Sequence, residues 1–436
     1  MNATVRLVAA ASTGNMLEWL SFTAYALVAD LIARQYFPSA DPMTSLMLAP
    51  GTAVAAYLVR PLGAVVLGVY ADRAGRLAAL TMAIRLMTLG SFLIVVLPGY
   101  QEIGVFAPIG MLLALVIQGF SAGGEFGSAT ALLVESHAGR RGFMGSWQTA
   151  SQAFAVLLAT GLLATTSSAL SPAQFDAWGW RIPFVVALLL GPAGYYIRTR
   201  LRDSPEFTTA RAAPASGPPR PLADLLRNDK ARVLLVMGMI AISTGFSYLI
   251  TYMPTFAIRQ LGMSPSTSFT ATFVTGVVLT VLTPVAGHLS DTVGRTRMLT
   301  AAAVVIALIS IPLFLLIRAV PSLVVLVSAL ALMGLVKAWY AGPLPASMAE
   351  MFPVGTRGTG LSISYNLGVI LFGGLTPVAI TLLISATGST LAPSYWITAL
   401  AVLSCACVVL ARRYRQPAPA ADEPRVTPEV KAPFDS

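Results

Sequence analysis

Four ionisable side chains stand inside long apolar runs of this sequence: Glu18, Arg60, Glu125 and Lys337. A charge in apolar surroundings is expensive, and it is retained where it meets a partner, water or a ligand. Counted inward from the charged ends of their runs, Glu18, Arg60 and Glu125 each lie about ten residues deep, roughly 15 Å at helical rise. Equal depth on three helices lets them meet. Two carboxylates beside one guanidinium leave one carboxylate able to take up a proton, because like charges push the two pKa values apart. A static buried ion pair with a water-exposed acid is the plainer alternative. Lys337 stands apart, flanked by Trp339 and Tyr340. A lone cation there suits the carboxylate of an anionic ligand, or else an ion pair with another buried acid. Arg85 lies nearer a charged end and can extend its head toward water.

Polar residues recur in the same runs: Asn15 and Tyr25, Gln118 and Ser121, Gln148 and Gln152, Tyr248, Thr251 and Tyr252, Tyr365 and Asn366. Each is able to glue helices together, and as a set they are able to line a polar cavity. Nothing resembles an enzyme signature. A P-loop and an H-x-x-x-H motif are missing, and two histidines and two cysteines are too few for a metal site. Cys405 and Cys407 read as small packing residues. No cofactor is expected beyond a coupling ion, H+ or Na+.

The elements that must position these groups follow from composition. Of the 436 residues 56% are apolar and 11% charged, against roughly 25% charged in a soluble domain. A spanning helix needs about 20 apolar residues. Candidate spans fall at 9–34, 44–71, 77–98, 104–136, 142–167 and 181–199, then at 232–258, 267–290, 297–318, 322–351, 358–387 and 393–412. Runs this long are helical in lipid. The expected fold is an all-α membrane protein of twelve transmembrane helices. The first span continues past signal-peptide length and is expected to stay in the protein.

The chain also repeats. Gly68-Val-Tyr-Ala-Asp72-Arg-Ala-Gly75-Arg76 and Gly287-His-Leu-Ser-Asp291-Thr-Val-Gly294-Arg295 share the pattern G-x-x-x-D-x-x-G-R, 219 residues apart. Glu135 with Arg141-Gly142 is echoed by Glu350 with Arg357-Gly358. This predicts two six-helix bundles, 1–199 and 232–412, with a site between them. A Pro-rich linker is expected over 200–231, with a short amphipathic helix around Leu222–Leu226, and a disordered tail over 413–436. Asp72, Arg76, Asp291 and Arg295 are expected to clasp helices in one conformation and release them in another; loop charge for orientation is the alternative. His288 reads as a spacer in the second motif. The net charge of +10 is topological: about 21 of 28 Lys and Arg fall in loops on the side of the N-terminus. Under the positive-inside rule both termini are cytoplasmic, and no nucleic-acid partner is expected.

The paired loops resemble the major facilitator superfamily. Gly14-Asn15-x-x-Glu18-Trp19, Arg60-Pro-Leu-Gly63, Gln118-Gly-Phe-Ser-Ala-Gly-Gly-Glu125, Arg141-Gly-Phe-Met-Gly-Ser-Trp147, Gly179-Trp-Arg-Ile-Pro-Phe184, Ser204-Pro-Glu-Phe207, Glu350-Met-Phe-Pro353 and Tyr365-Asn366 look like its metabolite:proton symporter family. Ser146-Trp-Gln148, Tyr248-Leu-Ile-Thr251 and Pro393-Ser-Tyr-Trp396 look closest to bacterial citrate and tricarballylate carriers. The resemblance implies a multi-pass carrier in a bacterial plasma membrane that imports a tricarboxylate with a cation by alternating access. Two family positions differ: Ser21 replaces an aspartate, and Leu115 replaces a basic residue. Loss of both fits a pair that charged each other, since losing one alone would strand a buried charge. Leu77 also stands where the loop motif commonly has an arginine.

The combined expectation is a monomeric importer of citrate or a related di- or tricarboxylate. Arg60, Lys337, Gln148, Tyr248, Tyr252, Asn366 and Asn15 would bind substrate, and Glu18 and Glu125 would handle the coupling ion. An exporter or drug:proton antiporter of the same fold, and a membrane sensor that does not transport, are the alternatives.

Overall fold

The computed structural model describes residues 3–38, 42–201, 203–212 and 221–414. Linker prolines 214, 218 and 219 and the tail from 415 lie outside the described residues. The described chain is helical, with no strand. The first six spans are α1 (Ala3–Leu27) with α2 (Ala29–Tyr36), α3 (Pro42–Ala74), α4 (Arg76–Val96), α5 (Phe106–Glu135), α6 (Arg141–Ala169) and α7 (Ile182–Thr199). Two short helices follow, α8 (Pro205–Ala212) and α9 (Pro221–Asn228). The second six are α10 (Lys230–Leu261), α11 (Pro265–Val293), α12 (Arg295–Ala319), α13 (Leu323–Ala341) with α14 (Leu344–Ala349), α15 (Val354–Gly368) with α16 (Thr376–Thr387), and α17 (Ala392–Ala411). Among the described residues eleven helices are long and apolar enough to cross a bilayer, and twelve when the bent first pair counts as one span.

Local chemistry explains the breaks. The first span bends by 71° between α1 and α2, and the bend is held by Tyr36, whose hydroxyl donates to Leu97 O (2.8 Å) and accepts from Arg181 (2.7 Å). Between α15 and α16 a π-helical stretch, Val369–Gly374, widens the helix where Gly373 lies against Tyr248. The α3–α4 and α11–α12 turns pass through Gly75 (φ 117°) and Gly294 (φ 99°), the same position of the repeated motif. A side chain is strained at either. The short helix expected around Leu222–Leu226 is α9, which buries Leu225 and leaves Leu226 54% exposed. The helix α8 was not anticipated from the linker's composition.

The first and second sets of spans meet along α3, α5 and α6 on one side and α11, α14 and α15 on the other. Within the first set α3 and α5 touch backbone to backbone. A Cβ at Gly123 would lie 2.2 Å from the Arg60 carbonyl oxygen, so glycine there is what brings Arg60 and Glu125 to one layer.

Candidate functional site

The buried charges of the first six spans form pairs rather than the expected trio. Arg60 Nη2 lies 3.3 Å from Glu18 Oε1, with both side chains almost fully buried. Glu125 is not the second carboxylate on Arg60. Its Oε1 accepts from Arg198 Nη2 at 2.6 Å. Arg198 also donates from Nε to Ala10 O (2.8 Å) and from Nη1 to Leu80 O. Arg198, given no role from sequence, is 1% exposed near the end of α7. A guanidinium is satisfied in such a place only by several acceptors, and α1, α4 and α5 each supply one. Glu125 rests against Gly14, where a Cβ would lie 2.1 Å from its Oε1. Gly14 is one turn from Glu18, so the two carboxylates remain neighbours, each with its own arginine.

Arg60 is further enclosed by aromatic faces, 4.6 Å from the Phe22 centroid and 4.4 Å from that of Tyr57. Cation–π contact compensates part of its desolvation. From there a polar chain crosses to the second set of spans. Tyr248 donates its hydroxyl to that of Tyr57 (3.1 Å), and Gln152 donates to Tyr365 (3.2 Å). Gln152 also reaches Asn15 Oδ1 (3.4 Å), while Asn15 Nδ2 donates to Gln148 O and Ser151 Oγ. Tyr365 stacks on Phe126, with centroids 3.5 Å apart and planes 8° off parallel.

Lys337 lies 7% exposed on α13. Its ammonium donates to Ser247 Oγ at 2.5 Å, and no carboxylate pairs with it among the described residues. Ser247 lines a cavity of about 30 Å³ together with Trp19, Phe126, Gln152, Thr244 and Tyr365. That is room for a water, not for an organic anion.

The remaining expected residues divide. Tyr248 joins the bridge. Asn366 is spent on backbone, donating to Gly123 O (2.7 Å) and Ser362 O (2.8 Å), with Oδ1 buried and unpartnered. The Gln148 amide is fully buried with neither polar atom bonded. Tyr252 packs against the apolar core of the second six spans and makes no hydrogen bond among the described residues. Ser21 meets Ser91 Oγ (3.3 Å), which also accepts from Gln118 (3.1 Å), and Leu115 sits in an apolar cluster. The two missing charges have been replaced by hydroxyls and hydrocarbon. Sequence reasoning missed Tyr57, Ser247 and Arg198. Of these only Arg198, the last basic residue of an apolar run, carried a signal.

The two sequence echoes turn out to be halves of one clasp. Asp72 accepts from Gly358 N (3.0 Å), Thr359 N (2.8 Å) and Thr359 Oγ1 (2.6 Å), near the start of α15. Asp291 accepts from Gly142 N (2.7 Å) and Phe143 N (3.0 Å), at the start of α6. Each loop motif therefore seats on the R-G echo of the opposite repeat, where helix-start amides and dipole favour a carboxylate. A Cβ at Gly142 would lie 2.2 Å from Ser290 Oγ, which accounts for glycine in the echo. Arg76 pairs with Asp72 and Glu135, and Arg295 with Asp291 and Glu350. Glu135 also takes Arg357 (3.0 Å), and Glu206 on α8 bridges Arg357 (2.9 Å) and Arg141 (3.0 Å). His288 is exposed and meets the Phe143 ring edge-on.

Known proteins share this architecture. A model of the Major Facilitator Superfamily matches residues 11–364 and 277–436. The citrate-proton symporter of Klebsiella pneumoniae is 36% identical over 409 residues, 93% of this chain and 91% of the relative. The proline/betaine transporter of Escherichia coli strain K12 is 31% identical over 410 residues, 91% of this chain and 81% of the relative. Among solved structures, the proton:xylose symporter XylE of E. coli, bound to 6-bromo-6-deoxy-D-glucose, superposes with a TM-score of 0.76 at 15% identity. That match covers 92% of this chain and 94% of XylE, and it is a likeness of fold.

Proposed function

Because the chain belongs to the major facilitator superfamily, whose members are membrane transporters and not enzymes, we propose that it imports citrate or a related di- or tricarboxylate with a proton, by alternating access. The motif-bearing ends would face the cytoplasm of a bacterial cell, with both termini on that side and the monomer as the working unit. The observation that carries the substrate class is Lys337, a buried cation held by a hydroxyl and facing no carboxylate among the described residues. An ammonium without a counter-charge in a desolvated site favours an anion. Similarity to a citrate-proton symporter supports the same reading.

The ion-pair array supplies a coupling route. In this conformation Glu18 occupies Arg60. Protonation of Glu18 would release Arg60 toward a substrate carboxylate, while Lys337 takes another from the opposite repeat. Glu125, held by Arg198 one turn from Glu18, would pass the proton toward the motif-bearing end. A substrate bridging Arg60 and Lys337 ties the repeats together, and the clasp would then open at the far end. The cavity must widen from about 30 Å³ for this to happen.

A second reading rests on the aromatic wall. Trp19, Phe126 and Tyr365 line the cavity, and aromatic faces also receive the quaternary ammonium of a betaine. A relative at 31% identity is a proline/betaine transporter. Counterflow in proteoliposomes with citrate, tricarballylate, glycine betaine and proline separates the two, run with a pH gradient and then with a sodium gradient. Citrate counterflow driven by the pH gradient and lost in Lys337→Ala is expected. Betaine counterflow that survives Lys337→Ala would replace the carboxylate reading with the osmolyte one.

A further inference from the structure

Arg85 has no place in the substrate route, yet its setting is specific. It lies on α4 nine residues from the helix start at Arg76, about 14 Å along the axis at helical rise. It belongs to an exposed stripe with Met82, Leu89 and Phe92, the face that a spanning helix turns to lipid. No carboxylate pairs with Arg85 among the described residues. Its Nη2 donates to the Tyr195 hydroxyl at 2.7 Å, and its guanidinium lies 4.8 Å from that ring's centroid. Long side chains on a helix lean toward its N-terminus, which here is the motif-bearing end.

The guanidinium enters a groove of about 290 Å³, bounded by Tyr70, Ala78, Thr81, Met82 and Thr199. Most donors around it are already used. Thr81 donates to Leu77 O, Thr199 to Tyr196 O, and Arg198 to Ala10 O, Leu80 O and Glu125. Asp203 Oδ1 is engaged by the amide of Leu77, a residue of the groove wall, at 2.8 Å. The remaining N–H groups of Arg85 and the Tyr70 hydroxyl have no hydrogen-bond partner among the described residues and are placed to bind an oxyanion. An unpaired guanidinium on a lipid-facing surface is costly unless water or a headgroup meets it. Basic pockets between helices near the membrane surface suit phosphate-bearing headgroups.

We propose that the groove between α3, α4 and α7 binds the phosphodiester of a phospholipid, with Arg85 as its ligand and the acyl chains running along Met82, Leu89 and Phe92. The site is independent of the transported substrate.

The test is native mass spectrometry of the full chain in detergent, titrated with phosphatidylglycerol, with diacylglycerol, and with sn-glycerol 3-phosphate. One retained phosphatidylglycerol is expected, with affinity falling about fivefold in Arg85→Gln, the scale of one interfacial arginine. Arg85→Lys keeps the charge and is expected to keep the lipid, and Tyr70→Phe to weaken it less than Arg85→Gln. Diacylglycerol, lacking phosphate, should bind weakly and alike in all variants. Equal retention of phosphatidylglycerol by the parent chain and Arg85→Gln would overturn the site. So would equal loss in the Gln and Lys variants. Saturation by sn-glycerol 3-phosphate as tight as by the lipid would reassign the groove to a free phosphate.

Discussion

The two sets of six spans handle buried charge in opposite ways. In the first, the buried arginines have carboxylates: Arg60 has Glu18, and Arg198 has Glu125 together with two carbonyl oxygens. In the second, Lys337 has one hydroxyl. A closed set of charges holds structure and resists change, because removing one member strands another. A buried charge without a counter-charge among the described residues is free of that constraint. The repeated halves thus share a scaffold but differ in charge pairing: the first closes its buried arginines on carboxylates, and the second leaves Lys337 on a hydroxyl.

The largest way to break this contrast is Arg198→Met. It strands Glu125 among apolar neighbours and should cost about 3–5 kcal/mol, read as a large drop in the thermal unfolding midpoint in detergent. Adding Glu125→Gln should return much of that loss. Next in size is Asp72→Asn, which weakens the charge-assisted bonds to Gly358 and Thr359, by about 1.5–3 kcal/mol. Spin-label distances between the motif-bearing ends of α3 and α15 should broaden and lengthen. If they stay narrow, the clasp does not hold the conformation.

Lys337→Met should move stability the other way. Removing a lone buried cation should raise the unfolding midpoint, by an amount on the order of 1 kcal/mol, while carboxylate counterflow is lost. A fall in stability would mean that Lys337 is a structural ion and not an open one. The smallest effect concerns His137, beside Thr4 at the motif-bearing end. Burial, then the nearby Arg140 charge, hold its pKa below the ordinary value of about 6.5. The folded state therefore resists protonation. Stability from this residue is full above the ordinary pKa and declines as pH falls below it. His137→Gln should flatten that slope in melts across the acid range.

Much of the clasp was legible because its parts recur. Two Asp72-like and two Arg357-like positions at nearly one offset required a common structural role. Their crossed pairing, Asp72 on Gly358 and Asp291 on Gly142, was not legible, since a repeat says that parts are alike and not which ones touch. The depth argument correctly brought Glu18 and Arg60 together. It misassigned Glu125, because depth counts rise along a helix and ignores the direction in which each side chain leaves it. Arg198 was overlooked for a related reason: at the end of a run an arginine looks solvated, and only the inward path of α1, α4 and α5 shows that it is not.

Composition and periodicity alone determined that the chain spans a membrane, that it does so as helices, and that it is built twice. These properties follow from hydrogen bonding in lipid and from local sequence, and no long-range contact is needed to state them. The tertiary structure decided which charges are closed and which is open, since that depends on distances of a few ångströms between helices far apart in sequence. Lys337 could be recognised from sequence as a buried cation. That it faces Ser247 and no acid among the described residues is a fact of packing alone.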